Sequence, residues 1–441
     1  MKPKKVAFVH PEIGFKPFQA LGTYPLGILY LATTVRTERP DWGVRCYDED
    51  SRSVLKRGTF KPEILEADAV GITALTSTAP RAYELADRLR DLRTRGKTNP
   101  NLKVIMGGMH VTAMPEEAIQ HADAVLTGEG EKSIVRLIEE GRGIVAGERV
   151  EDLDTLVEPD YSLLDFKKRR LADWLYGTLA SIASMRGCSF NCDFCSVREI
   201  FGPPRSKSPE KVFARTKFLR EERYRRQFFH DDFFSYDKPR REVLFDMLIR
   251  ARLGIDYIVQ DRIDALQDGD YVERMARSGC TMVMFGLESP DKEFLRAHRK
   301  GLDLDKVEIG VKLLKKNRIV PYAFCMVQPE KPETTRHTIE VLRHLGIKYA
   351  QFTILTPMPG TRLYDNAKER IQAGWQYFTG LSWVTEKGDK AREAAEHLSE
   401  TWRKFYSPLR AGVSALKLEF SEAALRLYGW YVGRRILDAQ P

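Results

Sequence analysis

Two successive series of short apolar segments, alternating with helical patterns, constrain the fold of this 441-residue chain most strongly. Each apolar segment is only four to seven residues long, and a helical stretch separates it from the next. Such alternation is typical of parallel sheets whose strands are connected by helices. The sequence therefore predicts an α/β fold with parallel sheets.

The first series predicts a doubly wound parallel sheet. Its predicted strands are Val6–His10, Val44–Tyr47, Ala69–Leu75, Leu102–Met106 and Ala124–Thr127. In such sheets ligands bind beyond the carboxyl ends of the strands, where this chain has several glycines, which let a large flat ligand approach the backbone closely. No G-x-G-x-x-G pattern follows the first strand, so NAD is not the predicted ligand.

The second series predicts six strands, which suit a partial (βα)6 barrel because a full eightfold barrel takes about 250 residues. Its predicted strands are Leu179–Met185, Gln227–His230, Tyr257–Gln260, Thr281–Gly286, Pro321–Val327 and Tyr349–Leu355. The predicted domains are the doubly wound domain at 1–150, a polar linker at 151–178, the barrel at 179–365 and a helical C-terminal domain at 366–441.

Composition restricts the partners and the compartment. The net charge of +9 comes from 71 basic and 62 acidic residues that are interspersed along the chain. This favours a basic surface for anionic ligands over nucleic-acid binding. No apolar run reaches the roughly 18–20 residues that span a bilayer, and no signal segment is evident. A cytoplasmic protein is therefore expected. Gly412–Ile436 is apolar and amphipathic; packing on the barrel is the first interpretation, and association with a membrane surface is the alternative.

Three of the six cysteines fall within eight residues in a C-x3-C-x2-C pattern, namely Cys188, Cys192 and Cys195. Cysteine thiolates hold iron–sulfur clusters, and four irons require four ligands. No fourth cysteine lies nearby, so three thiolates imply an iron with an open position. A zinc site would need a further pair of ligands that is absent here.

The neighbours of these cysteines carry a resemblance. Gly187 precedes the first cysteine and Phe194 precedes the third, so the loop resembles the signature of radical S-adenosylmethionine (SAM) enzymes. Phe285–Ser289 resembles that family's strand-four motif. The Gly-Gly-x-His and Gly-Glu-Gly-Glu segments resemble the cobalamin-binding, Rossmann-like domain of its B12-dependent class. The resemblance implies three cofactors: a [4Fe-4S] cluster, SAM and cobalamin. The residues that it suggests for contacts with these cofactors are Thr76, Ser77, Gly107, Gly108, His110, Gly128, Glu129, Gly130 and Phe194.

Polar residues at the ends of the barrel strands are the candidates for the catalytic site. Asp231, Asp232, Arg262 and Glu288 follow predicted strands, where catalytic residues of such barrels gather. Carboxylates there need a cation or hydrogen-bond donors, which SAM would supply. The alternative is that these residues form salt bridges that close the barrel rim.

One motif of many cobalamin proteins is missing. None of the eight histidines has an aspartate two residues before it, so the D-x-H-x-x-G motif that places a histidine on cobalt is absent. The resemblance then implies cobalamin bound without a histidine ligand. A domain that has kept the fold and lost the cofactor is the alternative.

The resemblance implies a cobalamin-dependent C-methyltransferase. Reductive cleavage of SAM would give a 5′-deoxyadenosyl radical that abstracts hydrogen from an unactivated carbon, and methylcobalamin would methylate a natural-product or lipid-like substrate. A flavodoxin or ferredoxin would donate the electrons. One alternative is a radical cyclase or rearrangement enzyme that uses cobalamin without methyl transfer. Another is a non-catalytic protein that senses cobalamin or carries a cluster.

Overall fold

The computed structural model describes residues 4–12, 23–50, 54–56, 58–165, 179–409 and 420–440. Residues 166–178 of the predicted linker and 410–419 of the predicted C-terminal domain lie outside the described part. The chain divides into two compact units. The first is Met1–Gly14, Gly22–Ser189 and Ser196–His230, and the second is Phe15–Leu21, Phe190–Cys195 and Asp231–Pro441. The four domain boundaries suggested by the sequence stay a prediction.

The first half of the first unit alternates strands and helices as expected. Its strands are β1 (Lys5–His10), β2 (Gly43–Asp48), β3 (Leu55–Lys56), β4 (Thr59–Phe60), β5 (Ala69–Thr73), β6 (Lys103–Gly107), β7 (Ala124–Thr127) and β8 (Gly143–Ala146). Its α-helices are α1 (Leu26–Glu38), α2 (Pro62–Leu65), α3 (Ala79–Thr94), α4 (Met109–Ala113), α5 (Pro115–Ala118) and α6 (Ile134–Glu139).

Six of these strands form one parallel sheet in the order β2-β1-β5-β6-β7-β8. The order reverses between β1 and β5, which makes the sheet doubly wound, and this confirms the predicted fold class. A ligand crevice is expected outside the carboxyl ends of the strands in such a sheet. The apolar strand residues are buried against helix α1 and helix α6, as with Phe8, Leu29 and Ile134.

The rest of the first unit begins the second series. Its elements are β9 (Leu179–Ile182), β10 (Met185–Arg186), α7 (Val197–Phe201), β11 (Arg205–Ser206), α8 (Pro209–Glu221) and β12 (Arg226–Phe229). Strand β12 pairs in parallel with β9. Strands β10 and β11 form a short antiparallel pair, and the cysteine loop lies between them in the chain.

The second unit continues the alternation with four strands that pair successively in parallel. They are β13 (Asp256–Gln260), β14 (Cys280–Glu288), β15 (Val320–Val327) and β16 (Tyr349–Ile354). The helices are α9 (Lys238–Ala251), α10 (Gly269–Arg277), α11 (Lys292–Ala297), α12 (Leu304–Lys316), α13 (Pro332–His344), α14 (Arg362–Ala367), α15 (Gly388–Phe405) and α16 (Phe420–Arg435). The six predicted strands of this series are thus all present.

Two C-terminal aromatic residues, Trp402 and Tyr406, are part of the core. The Trp402 indole donates to the Phe352 carbonyl at 2.9 Å, and the Tyr406 hydroxyl donates to the Ala350 carbonyl at 2.7 Å. These bonds fasten α15 to the edge strand β16. Within the described ranges, no helix has both the length and the apolar composition needed to cross a membrane.

Candidate active site

The cysteine loop leaves strand β10 through a glycine that no other residue replaces easily. Gly187 has φ +86°, and a Cβ there would lie 2.5 Å from the Gly202 carbonyl oxygen and 2.7 Å from that of Pro203. The left-handed backbone and the close approach both favour glycine. Cys188 is the next residue, so the first cysteine of the motif directly follows a closely packed stretch of backbone.

The three loop cysteines differ from the other three in their surroundings. All six are free thiols, but Cys188, Cys192 and Cys195 are partly exposed, whereas Cys46, Cys280 and Cys325 are buried. Burial raises the pKa of each buried thiol, which keeps it protonated and unsuited to metal binding. The donor set of the loop, three accessible thiols within eight residues of the chain, fits an iron–sulfur cluster with one open iron.

The segment after helix α11 holds the centre of the loop. The Asp193 carboxylate lies 3.0 Å from the His298 Nδ1, and the Asp193 amide donates to the His298 carbonyl at 3.3 Å. The same imidazole lies against the Phe194 ring, with centroids 6.2 Å apart. On the other side, the Leu363 amide donates to the Asp193 carbonyl at 2.9 Å. The backbone between Cys192 and Cys195 is therefore fixed from two directions.

Arg262, which follows strand β13, also supports the loop. Its guanidinium stacks 3.7 Å from the centroid of the Phe190 ring. It pairs with Asp264 at 2.6 Å and donates to the carbonyls of Lys300 and Gly301 at 3.0 and 2.9 Å. The proposed contact of Arg262 with SAM stays a prediction. The contacts described here show that the side chain also holds Phe190 of the loop and the backbone at Lys300 and Gly301 in place.

Glu288, at the end of strand β14, is paired with Lys300. The Lys300 ammonium lies 2.7 Å from the Glu288 Oε1, and both side chains are largely buried. Burial disfavours the charged ammonium, but Glu288 and the nearby Cys192 outweigh this effect and raise the pKa of Lys300. The Lys300 ammonium is thus within electrostatic reach of one of the three loop thiols, Cys192.

The backbone around this pair is unusual. Glu288 has φ +59°, and the ladder between β14 and β15 shifts register between Gly286 and Glu288. A Cβ on Gly286 would lie 2.0 Å from the Glu288 Oε1 and 2.5 Å from the Lys300 Nζ. Non-glycine residues adopt a left-handed conformation only where the surroundings fix them, and such residues cluster at functional sites.

The two aspartates after strand β12 have different environments. Asp231 is fully buried and lies 2.7 Å from the guanidinium of Arg241, which is buried too. Asp232 is exposed, and no described side chain hydrogen-bonds its carboxylate. Although solvent reaches it, the protein around the carboxyl group desolvates it, and this effect together with the charge of Asp231 raises the pKa of Asp232 to about 7.

Asp261 is a further buried carboxylate at the strand ends, which the sequence pattern did not single out. It ends strand β13 and is 5% exposed. Its Oδ1 accepts from the Ser235 hydroxyl at 2.8 Å and the Arg262 amide at 2.8 Å, while its Oδ2 has no hydrogen-bond partner among the described residues. Burial raises the pKa of Asp261 to about 6. Its place directly before Arg262 was visible in the sequence, but its burial was not.

The carboxyl edge of the first sheet presents small residues at three adjacent strands. Thr76 and Ser77 follow β5, Gly107 and Gly108 end β6, and Gly128 follows β7. All of them remain partly or fully exposed. Gly108 has φ +102°, and a Cβ there would lie 2.6 Å from the Thr73 hydroxyl. Small, accessible residues at three adjacent strand ends fit a large flat ligand such as a corrin ring, and the exposed Leu75 adds an apolar side chain at the same edge.

Three predicted cofactor residues on this edge, His110, Glu129 and Gly130, are buried instead. His110 is fully buried, with Nδ1 3.3 Å from the Thr76 hydroxyl and Nε2 3.1 Å from the Tyr83 hydroxyl. Burial lowers the pKa of His110, so the imidazole is neutral. Glu129 is 5% exposed and pairs with Arg205 at 2.5 Å. Gly130 packs against Leu31 and Leu126. The three cofactor contacts proposed for these residues stay predictions.

A cavity of about 390 Å³ in the second unit adjoins the cysteine loop at His298. Its apolar lining includes Val327, Ile354 and Trp383. Charged side chains of both signs, among them Arg370, also line it. Such a lining suits an amphipathic small molecule.

Comparison with known families agrees with both halves of the fold. The description "B12 binding domain" matches residues 20–138, and "Radical SAM superfamily" matches residues 182–342. The second match contains the three loop cysteines and the four predicted catalytic residues, and the first contains the glycine edge of the parallel sheet.

Individual relatives match over most of the chain. A protein named "Uncharacterized methyltransferase PH0819" from Pyrococcus horikoshii is 30% identical, over 92% of this chain and 92% of the relative. The bacteriochlorophyllide d C-12(1)-methyltransferase of Chlorobaculum tepidum is 26% identical, over 79% and 76%. The radical S-adenosylmethionine methyltransferase TsrM from Kitasatospora setae, solved with cobalamin and a [4Fe-4S] cluster bound, has the same fold. Its TM-score is 0.66 at 18% identity, over 83% of this chain and 78% of that chain.

Proposed function

Because the chain belongs to the cobalamin-dependent radical SAM enzymes, we propose that it is a C-methyltransferase acting on a natural-product or lipid-like small molecule. The cofactors of this family are a [4Fe-4S] cluster, SAM and cobalamin. When bound, they supply a 5′-deoxyadenosyl radical that abstracts hydrogen from an unactivated carbon, and a methyl group on cobalt for transfer to that carbon. The observation that carries the proposal is the loop of three accessible thiols, one of which, Cys192, interacts electrostatically with the Lys300 that pairs with Glu288.

In this proposal, Cys188, Cys192 and Cys195 hold three irons and leave the fourth for SAM. The hydrogen bonds of Asp193 with His298 and Leu363 keep the loop backbone in place. Lys300 puts a positive charge next to Cys192, which favours the thiolate form that binds iron. Phe194, packed edge-on against the same histidine, offers an apolar surface to SAM.

Asp232 is the rim carboxylate that we assign to the cationic part of SAM. Asp231, Arg262 and Glu288 each have an internal ion-pair partner, whereas the Asp232 carboxylate has no side-chain partner among the described residues. In this assignment Asp231 and Arg241 position the loop that carries Asp232. Glu288 binds SAM while it remains paired with Lys300.

The substrate assignment rests on the relatives and the cavity. The relatives named above are methyltransferases, and one acts on a bacteriochlorophyllide. The cavity beside His298 combines apolar and charged lining, which supports an amphipathic molecule. We further propose a reducing, cytoplasmic setting, in which the loop thiols stay available, and a flavodoxin or ferredoxin as electron donor.

Product analysis tests this proposal. The full chain is reconstituted anaerobically with iron, sulfide and cobalamin, and reduced in the presence of SAM and candidate substrates. Methyl transfer gives S-adenosylhomocysteine and 5′-deoxyadenosine together with a methylated product. 5′-Deoxyadenosine without S-adenosylhomocysteine would instead show a cyclase or rearrangement enzyme. Neither product, with cobalamin bound, would show a sensor or a cluster carrier.

A further inference from the structure

Two arginines face each other across the short pair of strands that flanks the cysteine loop. In the antiparallel pair of β10 and β11, Arg186 lies directly opposite Arg205. Like charges at directly opposed positions destabilise a strand pair. Both guanidinium groups are largely buried, with 13% and 8% of the side chain exposed, so solvent provides little screening. The pair therefore requires counter-charges from elsewhere in the first unit.

Glu129 and Glu131 supply these counter-charges. Arg205 binds Glu129 through two bonds of 2.5 and 3.1 Å, and Arg186 binds Glu131 at 2.5 Å. Arg186 also lies 3.6 Å from Glu129, which links the two pairs. We call these four residues the carboxylate lock.

The Glu129 carboxylate of the lock is charged. Burial opposes ionisation of Glu129, but hydrogen bonds from Arg205 and from the Val150 amide outweigh it and lower the pKa of the carboxyl group. The two glutamates follow strand β7 and Gly128 directly, before helix α6 begins. Breaking a buried ion pair on one side leaves an uncompensated buried charge. The pair of strands β10 and β11 therefore has one strongly favoured position relative to Glu129 and Glu131.

A single residue connects strand β10 to Cys188. Gly187 lies between Arg186 and Cys188, and its backbone is packed against Gly202 and Pro203. The direction in which the chain enters the loop is therefore determined by Arg186 and by this contact.

We propose that Glu129 and Glu131 are positioning residues for the iron–sulfur cluster: through Arg186 and Arg205 they fix the point at which Cys188 enters the cluster loop. The two carboxylates of this Gly-Glu-Gly-Glu segment bind the arginines of strands β10 and β11. Gly128 and its neighbours, in contrast, form the edge of the sheet where the cofactor would bind. The inference rests on the cluster of the family and not on methyl transfer, so it stands or falls independently of the substrate.

Glu131→Gln and Arg186→Met are the test variants, and Glu148→Gln is the matched control. Glu148 pairs with Lys132 close by in the sequence, but both side chains are exposed. The reconstituted full chain is exposed to an iron chelator well below its unfolding temperature, and the release of iron is followed. Loss of one buried charged hydrogen bond predicts roughly ten-fold faster release in each test variant and no change in the control.

Spectroscopy separates positioning from general stability. The electron paramagnetic resonance (EPR) spectrum of the reduced cluster should change in Glu131→Gln while cobalamin affinity stays unchanged. Exchange of the pair, Glu131→Arg with Arg186→Glu, should restore slow release. If Glu131→Gln prevents folding, Arg186→Lys is the substitute. It keeps the positive charge but lacks the planar guanidinium that reaches both glutamates, so it should give the same faster release of iron. Unchanged release in the folded test variants would overturn the proposal. So would weakened cobalamin binding by Glu129→Gln with normal iron release.

Discussion

The carboxylate of Glu288 lies 2.7 Å from the ammonium of Lys300, twelve residues further along the chain, and both are largely buried. The pair exists because strand β14 has no side chain at Gly286, where a Cβ would overlap both groups. A register shift and a left-handed backbone at Glu288 complete the arrangement.

Gly286→Ala is expected to distort this pair. The added Cβ would lie 2.0 Å from the Glu288 Oε1 and 2.5 Å from the Lys300 Nζ, so the ends of both side chains must shift and their ion pair loses its present geometry. Overpacking of this kind costs about 1–3 kcal/mol, and denaturant unfolding of the apoprotein measures the loss. Gly269→Ala is the control, since its Cβ would make only an ordinary 3.6 Å contact with Leu313. Equal stability of the two variants would contradict the expectation.

The loop cysteines are expected to bind the cluster and the buried ones not. Cys188→Ala, Cys192→Ala or Cys195→Ala should abolish the four-iron cluster and its broad visible absorption. Cys280→Ala and Cys325→Ala should retain both, because burial raises the pKa of these thiols. Iron and sulfide analysis after anaerobic reconstitution measures the outcome. Full iron content in a triple variant of the loop would refute the assignment.

Periodicity predicted the strands well because buried strands leave apolar runs in the sequence. It missed β8, where Ile144 is 40% exposed and no clear run remains. It also missed β10 and β11, which are only two residues long each. Such short pairs are held by tertiary contacts, here by Glu129 and Glu131, and carry no local pattern of their own.

The candidate site was predictable in position but not in pairing. Strand ends placed Asp231, Arg262 and Glu288 at the rim, yet the partners Arg241, Asp264 and Lys300 became visible only in the fold. The contact of Asp193 with His298 joins residues 105 positions apart. The pattern of a single sequence does not show which residues so far apart in the chain come into contact.

Bound cobalamin is expected to have no protein histidine on cobalt. Both ring nitrogens of His110 lie near hydroxyl groups, the side chain is fully buried, and burial lowers its pKa. EPR of cob(II)alamin bound to protein with isotopically labelled histidine is the measurement. A superhyperfine pattern that changes with the label would contradict the expectation, and failure to bind any cobalamin would favour a domain that has lost its cofactor.

Asp232 is expected to make both stability and SAM binding depend on pH near neutrality. Its pKa is raised to about 7 by desolvation and by Asp231, against about 3.9 in an unfolded chain. The folded state therefore binds more protons, and stability falls as pH rises from about 4 towards 7. Asp232→Asn removes this penalty, so the variant should gain stability over the parent at pH 8 and show no gain below pH 4.

The SAM affinity should change with pH in the opposite direction. In the parent it should rise with pH through 7, because the ionised Asp232 carboxylate is the form that attracts a cation. In Asp232→Asn this rise should be absent. Melting curves and calorimetric SAM titrations across the range measure both effects, with the exposed Asp41→Asn as control. A SAM affinity with the same pH profile in parent and Asp232→Asn would remove Asp232 from the site.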